Sequence, residues 1–284
     1  MKKFRFSIIA FAALLVLGSC TKHKLWFPMD EFNGAEIQIH YMEPITNVAA
    51  NYIDSVYVND VLYSSKDGGG TLYPYNGVPC MDVGKFFGVK AGNINIKFMR
   101  GGEVIYDRNI TVEAKKQNVI VHDLNADPII LDNKYPYWHD RGSEGATAET
   151  WGTDSVCKFM FVNLLYESPG VPYPGKLQYQ YRLHDAKEDD PWNNLGDPVG
   201  FGEATERVMV TFHWNGAPAT TPYQRVDFRI LTEDGNELMV LNSKGTMVKY
   251  SDYWNANLGR CSMHFMRGYR TTTPVCGVSN WWSL

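Results

Sequence analysis

The sequence predicts an all-β chain built as two antiparallel β-sandwich domains in tandem, and three observations carry that expectation. Apolar residues alternate with polar ones at a period of two in many short stretches. Turn signals built on glycine, asparagine and aspartate separate those stretches at intervals of about eight to twelve residues. A 3.6-residue apolar period is missing from all but one short segment. The aromatic share of 14% points the same way, because Tyr, Trp and Phe fit pleated, half-buried surfaces.

A leader precedes the first strand. Lys2, Lys3 and Arg5 are followed by an apolar run from Ile8 to Leu17. The run is too short to cross a bilayer as a helix, and a basic start before a short apolar core is the layout of a signal peptide. Leu17-Gly18-Ser19-Cys20 closes the run and resembles the lipobox of bacterial lipoproteins. The resemblance implies that residues 1–19 are removed and that Cys20 carries the lipid. Acyl chains contribute about 0.8 kcal/mol per buried methylene, so two or three of them moor a protein to a membrane. Residues 20–33 then form a lipid-anchored tether, with Lys22, His23 and Lys24 beside the head groups. The competing reading is an ordinary secreted protein with a chance cysteine.

The first sandwich is expected over residues 34–131. Ile37, Ile39 and Tyr41 share one strand face, with Glu36, Gln38 and His40 on the other. Val56 and Val58 flank Tyr57, and Ile94, Ile96 and Phe98 alternate with Asn93, Asn95 and Lys97. Asn59-Asp60 and Arg100-Gly101-Gly102-Glu103 read as hairpin turns. Residues 132–152, with Pro136, Gly142 and Gly145, read as a linker. The second sandwich is expected over 153–284. Phe159 and Phe161 lie in a nearly continuous apolar run. Leu177, Tyr179, Tyr181 and Leu183 alternate, as do Val208, Val210, Phe212 and Trp214, then Val226, Phe228 and Ile230. Glu233-Asp234-Gly235-Asn236 reads as a turn, and Met263 with Phe265 closes the pattern. One short helix is expected from Met247 to Asn257, ended by Gly259 as a C-cap. Asn95–Val104 and Val226–Leu238 both read as strand, turn, strand, which fits either two copies of one sandwich or a commonplace hairpin.

The lipobox and the paired β domains resemble the two-domain, Ig-like or transthyretin-like lipoproteins of Bacteroidota. The matching stretches are Val56-Tyr57-Val58-Asn59-Asp60, Val89-Lys90-Ala91-Gly92 and Ile110-Thr111-Val112-Glu113-Ala114. The resemblance implies a cell-envelope location at the outer membrane and no particular activity. In that phylum acidic residues after the lipidated cysteine mark surface export, and Thr21-Lys22-His23-Lys24 departs from that pattern, so the periplasmic and surface faces both stay open. Asp54-Ser55-Val56 and Asp154-Ser155-Val156 match a short O-glycosylation motif of the phylum, and both also read as plain strand starts.

Asp and Glu outnumber Lys and Arg by 31 to 27, and removal of the leader makes the body more acidic. Such a body disfavours nucleic acid, whose binding is driven by phosphate neutralisation. Cys80, Cys157, Cys261 and Cys276 remain after the anchor. Cys261 and Cys276 are close enough in sequence to bridge, but Cys261 alternates with Met263 and Phe265, which favours a buried thiol. No cofactor is expected, and no metal: neither paired cysteine nor paired histidine spacing occurs. No G-x-S-x-G turn presents a nucleophile. His40, His184 and His213 fall on the polar phase of strands and are expected to face solvent.

The acidic run Asp185, Glu188, Asp189, Asp190 reads as a solvated hairpin tip. Trp192 follows it, bracketed by Asp189, Asp190, Asn193 and Asn194. An aromatic ring with polar side chains at its rim suits the CH faces and hydroxyls of a sugar, so these five residues are the candidate ligand-binding site. Trp214, Trp138, Trp281 and Trp282 read more readily as packing residues. The expectation is a non-enzymatic envelope lipoprotein acting as a binding or accessory module for glycans or an envelope protein partner. The alternative is an adhesin or pilus-like assembly subunit.

Overall fold

The computed structural model describes residues 34–65, 71–78, 86–134, 155–187, 189–212, 223–257 and 261–282. The leader, Cys20, Cys80, His213, Trp214 and most of the expected linker lie outside these residues. Asn33–Leu284 forms one compact unit.

The first half contains β1 (Gly34–Tyr41), β2 (Ser55–Val58), β3 (Val61–Ser65), β4 (Asn76–Val78), β5 (Phe87–Lys90), β6 (Gly92–Arg100), β7 (Glu103–Val112), β8 (Lys116–Val121) and β9 (Ile129–Asp132). One sheet runs β4-β1-β8-β9, with β5 also paired to β1, and the other runs β3-β2-β6-β7. The second half contains β10 (Ser155–Ser168), β11 (Val171–Pro172), β12 (Leu177–Leu183), β13 (Asn193–Asn194), β14 (Val208–Phe212), β15 (Tyr223–Thr232), β16 (Met239–Leu241), β17 (Met247–Lys249), β18 (Ser251–Asn257), β19 (Cys261–Tyr269) and β20 (Gly277–Trp282). Its sheets are β11-β10-β19-β20, with β14 also on β10, and β13-β12-β15-β18, with a separate β16-β17 ribbon. A single 3-10 turn, Ala49–Asn51, is the one helical element among the described residues.

The halves share one strand plan. β1 pairs in parallel with β8 as β10 does with β19, and β9 and β20 return antiparallel beside them. The order β3-β2-β6-β7 matches β13-β12-β15-β18 position by position. The weak sequence likeness between residues 95–104 and 226–238 therefore falls on equivalent strands, β6 and β15. Two connections differ: β6 turns directly into β7, whereas β15 reaches its neighbour β18 through the β16-β17 ribbon, and β4 on β1 follows β3, whereas β11 on β10 precedes β12. The Asn59-Asp60 turn has φ of 50° and 61°, the two left-handed positions that a two-residue hairpin of this hand requires.

Each sandwich has its own core. Ile37, Ile39 and Tyr41 meet Val56, Val58, Ile94, Ile96 and Phe98 in the first. Phe159 and Phe161 meet Tyr179, Val226, Phe228 and Ile230 in the second. A third core lies between the sandwiches, where Met42 and Ile120 pack with Met160, Val162, Leu164, Met263 and Phe265. Four sheets therefore stack face to face. The parallel pairs sit in the two middle layers, covered on both faces as parallel ladders usually are.

Two expectations are corrected. His40 does not face solvent: it is fully buried, because the polar side of β1 packs against the second sandwich. There it joins a hydrogen-bonded row in which Asn118 Nδ2 lies 2.9 Å from both Gln38 Oε1 and His40 Nε2, and Asn133 Nδ2 lies 2.6 Å from Asn118 Oδ1. The polar phase of a strand need not be solvated, because hydrogen bonding among its side chains lets it be buried. The expected helix from Met247 to Asn257 is two strands, β17 and β18. Trp254 and Ala256 point into the second core at a period of two, and tertiary packing of such side chains overrides a weak local helical pattern. Gly259 lies outside the described residues. Ser55 begins β2 and Ser155 begins β10. Cys157, Cys261 and Cys276 are buried and carry no disulfide, in keeping with the buried thiol expected at Cys261.

Gly268 fixes one close approach in the middle of the stack. Its φ is +97°, and a Cβ there would lie 2.8 Å from the Cα of Cys276 and 3.0 Å from the carbonyl oxygen of Val275. Both neighbours are backbone and cannot swing aside. Gly268→Ala is expected to cost about 2 kcal/mol or more, combining a disfavoured backbone conformation with the clash. Urea unfolding of the variant beside the parent checks it.

Candidate functional site

The outer face of the β13-β12-β15-β18 sheet gathers the side chains that sequence reasoning singled out, together with several that it missed. Leu177, Tyr179, Tyr181 and Leu183 of β12 and Val226, Phe228 and Ile230 of β15 point into the core. Period-two alternation then forces Gln180, Arg182, Arg225, Asp227 and Arg229 outward. Register sets Gln180 opposite Arg229 and Arg182 opposite Asp227, and on the far side Asp227 opposite Tyr253 and Arg225 opposite Asn255.

Trp192 folds over this face. The guanidinium carbons of Arg182 and Arg229 lie 4.7 Å and 4.6 Å from its ring centroid. Arg225 sits 3.9 Å from the ring centroid of Tyr253 in the same way. Such contacts contribute roughly 0.5–2 kcal/mol, depending on desolvation. Asn194 belongs to β13, which pairs with β12, and its Oδ1 accepts from Gln180 Nε2 at 2.8 Å; Gln180 Oε1 accepts in turn from Arg229 Nε at 2.9 Å. Asp227 takes a hydrogen bond from Arg225 Nε at 2.9 Å and lies 2.8 Å from His184 Nδ1. Partial burial alone would raise its pKa, but the hydrogen bonds from His184 and Arg225 outweigh burial and hold the carboxyl below the usual range.

The five expected residues thus divide. Trp192 and Asn194 join the organised face. Asn193 is exposed on the same short strand. Asp190 caps its own turn, accepting from the Lys187 N–H at 2.8 Å. Asp189 is exposed beside it. The three arginines and Asp227 are legible as outward positions of alternating strands, whereas Tyr253 lies in the segment expected to be helical, and only the register brings them all to one place. Of the other tryptophans, Trp254 is core, 4.2 Å edge-on to Phe159, and Trp281 packs edge-on to His40 between the sandwiches.

A second cluster lies at the C-terminal ends of the parallel strands. Tyr41 Oη donates to Glu43 Oε2 at 2.9 Å and accepts from Arg100 Nη2 at 2.8 Å. Burial, with the nearby Asp123 charge adding to it, raises the Glu43 pKa against the opposing bonds from Tyr41 and Leu124 and the Arg100 charge. His122 Nδ1 lies 2.7 Å from Tyr166 Oη, and burial lowers its pKa. Arg267 lies 3.8 Å over the Tyr75 ring, and burial pushes the Tyr75 hydroxyl up to about 12. The His122–Tyr166 and Arg267–Tyr75 contacts join the two sandwiches at this end, and the Tyr41–Glu43–Arg100 bonds brace the first sandwich beside them, so the cluster is accounted for as a fastening. Among the described residues no group of three or more His, Cys, Asp or Glu could hold a metal ion, and no helix is long and apolar enough to cross a membrane.

No protein-family model matches the chain, and no curated protein matches it.

Proposed function

We propose that this chain is a non-enzymatic cell-envelope lipoprotein, anchored through Cys20, whose second sandwich is a binding module for glycans. The observation that carries the reading is the outer face of the β12-β15-β18 sheet, where Trp192 and Tyr253 stand among Gln180, Asn194, Asp227 and three arginines. Hydrogen-bonding groups arranged around aromatic rings match the mixed polar and apolar surface of a saccharide. The corresponding face of the first sandwich gives an internal comparison. There Asn93, Asn95, Asn109 and Thr111 bond mainly to one another and to Asp107, and among the described residues no arginine–aromatic stack joins them. The shared strand plan therefore does not require the arginines and tryptophan of the second.

The assembly reading is less well supported. It calls for a terminal strand that can leave its sheet, and β20 is fastened to β19 over six register pairs with Trp281 packed in the core between sandwiches. Affinity electrophoresis of the full chain in neutral detergent through gels carrying a panel of polysaccharides tests the proposal. At least one polysaccharide is expected to retard the chain, and Trp192→Ala to abolish the retardation. A chain that runs unretarded through every gel refutes it.

A further inference from the structure

Apart from the glycan face, we infer that the outer edge of the Arg267 guanidinium is a second binding site, which takes the carboxylate of a small monoanion at the seam between the sandwiches. Met263, Phe265 and Arg267 alternate along β19 on the side that faces the first sandwich. The first two are sealed in the core there, and Arg267, where that layer opens, is only partly buried. Its flat side is taken, because the Tyr75 ring of the first sandwich lies 3.8 Å from the guanidinium carbon. Its Nε donates to Ser279 Oγ at 2.9 Å. Nη1 and Nη2 have no acceptor among the described residues, and no carboxylate among them acts on this charge. Arg108, Arg225, Arg229 and Arg270 each reach a carboxylate. Burial lowers the Arg267 pKa, opposed only by Tyr75, Tyr250 and Cys276.

β20 leaves room at that edge. Register sets Trp281 opposite Met263, Ser279 opposite Phe265 and Gly277 opposite Arg267, so the side chains of β20 shrink toward the cation. A Cβ at Gly277 would meet Arg267 Nη1 at 3.9 Å and, its chain neighbours aside, no other described atom within 4 Å. Gly277 is not among the glycines with positive φ, so the backbone does not demand glycine there; its consequence is an open Nη1. Two N–H groups held in one plane match the two oxygens of a carboxylate. One unpaired positive charge matches one negative charge. Glu43, which acts on Tyr75 and Tyr269, and Asp123, which acts on Tyr269, stand at the same end and disfavour a doubly charged phosphate.

Isothermal titration of the full chain in neutral detergent tests the site, with acetate, D-glucuronate and inorganic phosphate as probes at matched ionic strength. Saturable binding of acetate, glucuronate or both is expected, with dissociation constants of millimolar order for one charge-assisted fork. Tighter binding of acetate marks a simple acid as the ligand, and tighter binding of glucuronate a sugar acid. Phosphate should bind more weakly than either. The bound carboxylate should also raise the urea midpoint beyond the effect of equal sodium chloride. Arg267→Lys, which keeps the charge and loses the fork, should weaken binding at least tenfold. Gly277→Val, which keeps Arg267 and fills the space beside Nη1, should do the same, and it decides the case if Arg267→Lys folds poorly. Absence of saturable binding overturns the inference. So does binding that neither variant weakens, or phosphate bound as tightly as the carboxylates. None of these outcomes touches the glycan reading, which is tested at Trp192.

Discussion

Lowering the pH from 7 to 5 is expected to remove about 4 kcal/mol of folding stability through His40 and His264 alone. Both rings are fully buried, and burial lowers the pKa of each from 6.5 to about 3. His264 lies in the second core, stacked on Phe159, edge-on to Trp254 and 3.0 Å from Tyr179 Oη, with its Nε2 unpartnered. His40 lies between the sandwiches against Phe265 and Trp281 and beside the Asn118 amide, with its Nδ1 unpartnered. Neither hydrogen-bonds a carboxylate that could compensate a positive charge. The unfolded chain takes up protons below pH 6.5 and the folded chain does not until about pH 3. Stability is thus fully present above 6.5 and falls across that window, by up to about 1.4 kcal/mol per pH unit for each ring. Glu43, whose carboxyl is raised in the folded chain, works in the opposite direction and trims the slope. Urea midpoints measured from pH 7 to pH 5 check the result, and His264→Met should roughly halve the dependence. A flat profile would show that the rings are protonated without penalty.

The two histidines also mark where sequence reading stops. Alternation along Ile37, Ile39 and Tyr41 identified the strand and its core face, and the same logic located Tyr179, Val226 and Phe228. It could not say that the opposite face of β1 is buried too, because Gln38 and His40 look like solvated residues until Asn118 and Asn133 are brought beside them from other parts of the chain. Likewise the glycine and Asn-Asp turns were legible, being local chemistry. The parallel pairing of β1 with β8 and of β10 with β19 was not, since it joins segments about 80 and about 100 residues apart, beyond any hairpin rule. Trp192 and its polar neighbours could be picked out as an aromatic loop. That two arginines cover the ring depends on register between β12 and β15, which no local pattern carries. The helix expected at 247–257 failed for the same reason: a short stretch holding Val248, Tyr250 and Trp254 follows the sheet edge it can reach.

Phe265→Ala is expected to cost about 3–5 kcal/mol, the usual range for deleting a fully buried aromatic ring. Phe265 sits in the core between the sandwiches, with Met160, Val162 and Met263 around it and the His40 ring 4.9 Å away. It contributes nothing to the core inside either sandwich, so the substitution addresses the union of the two bodies. If the four-layer stack is one cooperative structure, the parent chain unfolds in urea in one transition, with tryptophan fluorescence and far-ultraviolet circular dichroism coincident. The variant then shifts to a lower midpoint, and any separation of the two signals appears there first. Val104→Ala, at a side chain half exposed on β7, should change stability by less than about 0.5 kcal/mol. A Phe265→Ala chain as stable as the parent would mean that the sandwiches do not lean on each other. Their union bears on the proposed function because the middle layers cover one face of each sandwich, leaving the face that carries Trp192 and the arginines turned away from the partner sheet. Cooperative loss of stability on removing this one ring, with the control unchanged, is what rigid presentation of the proposed binding face requires.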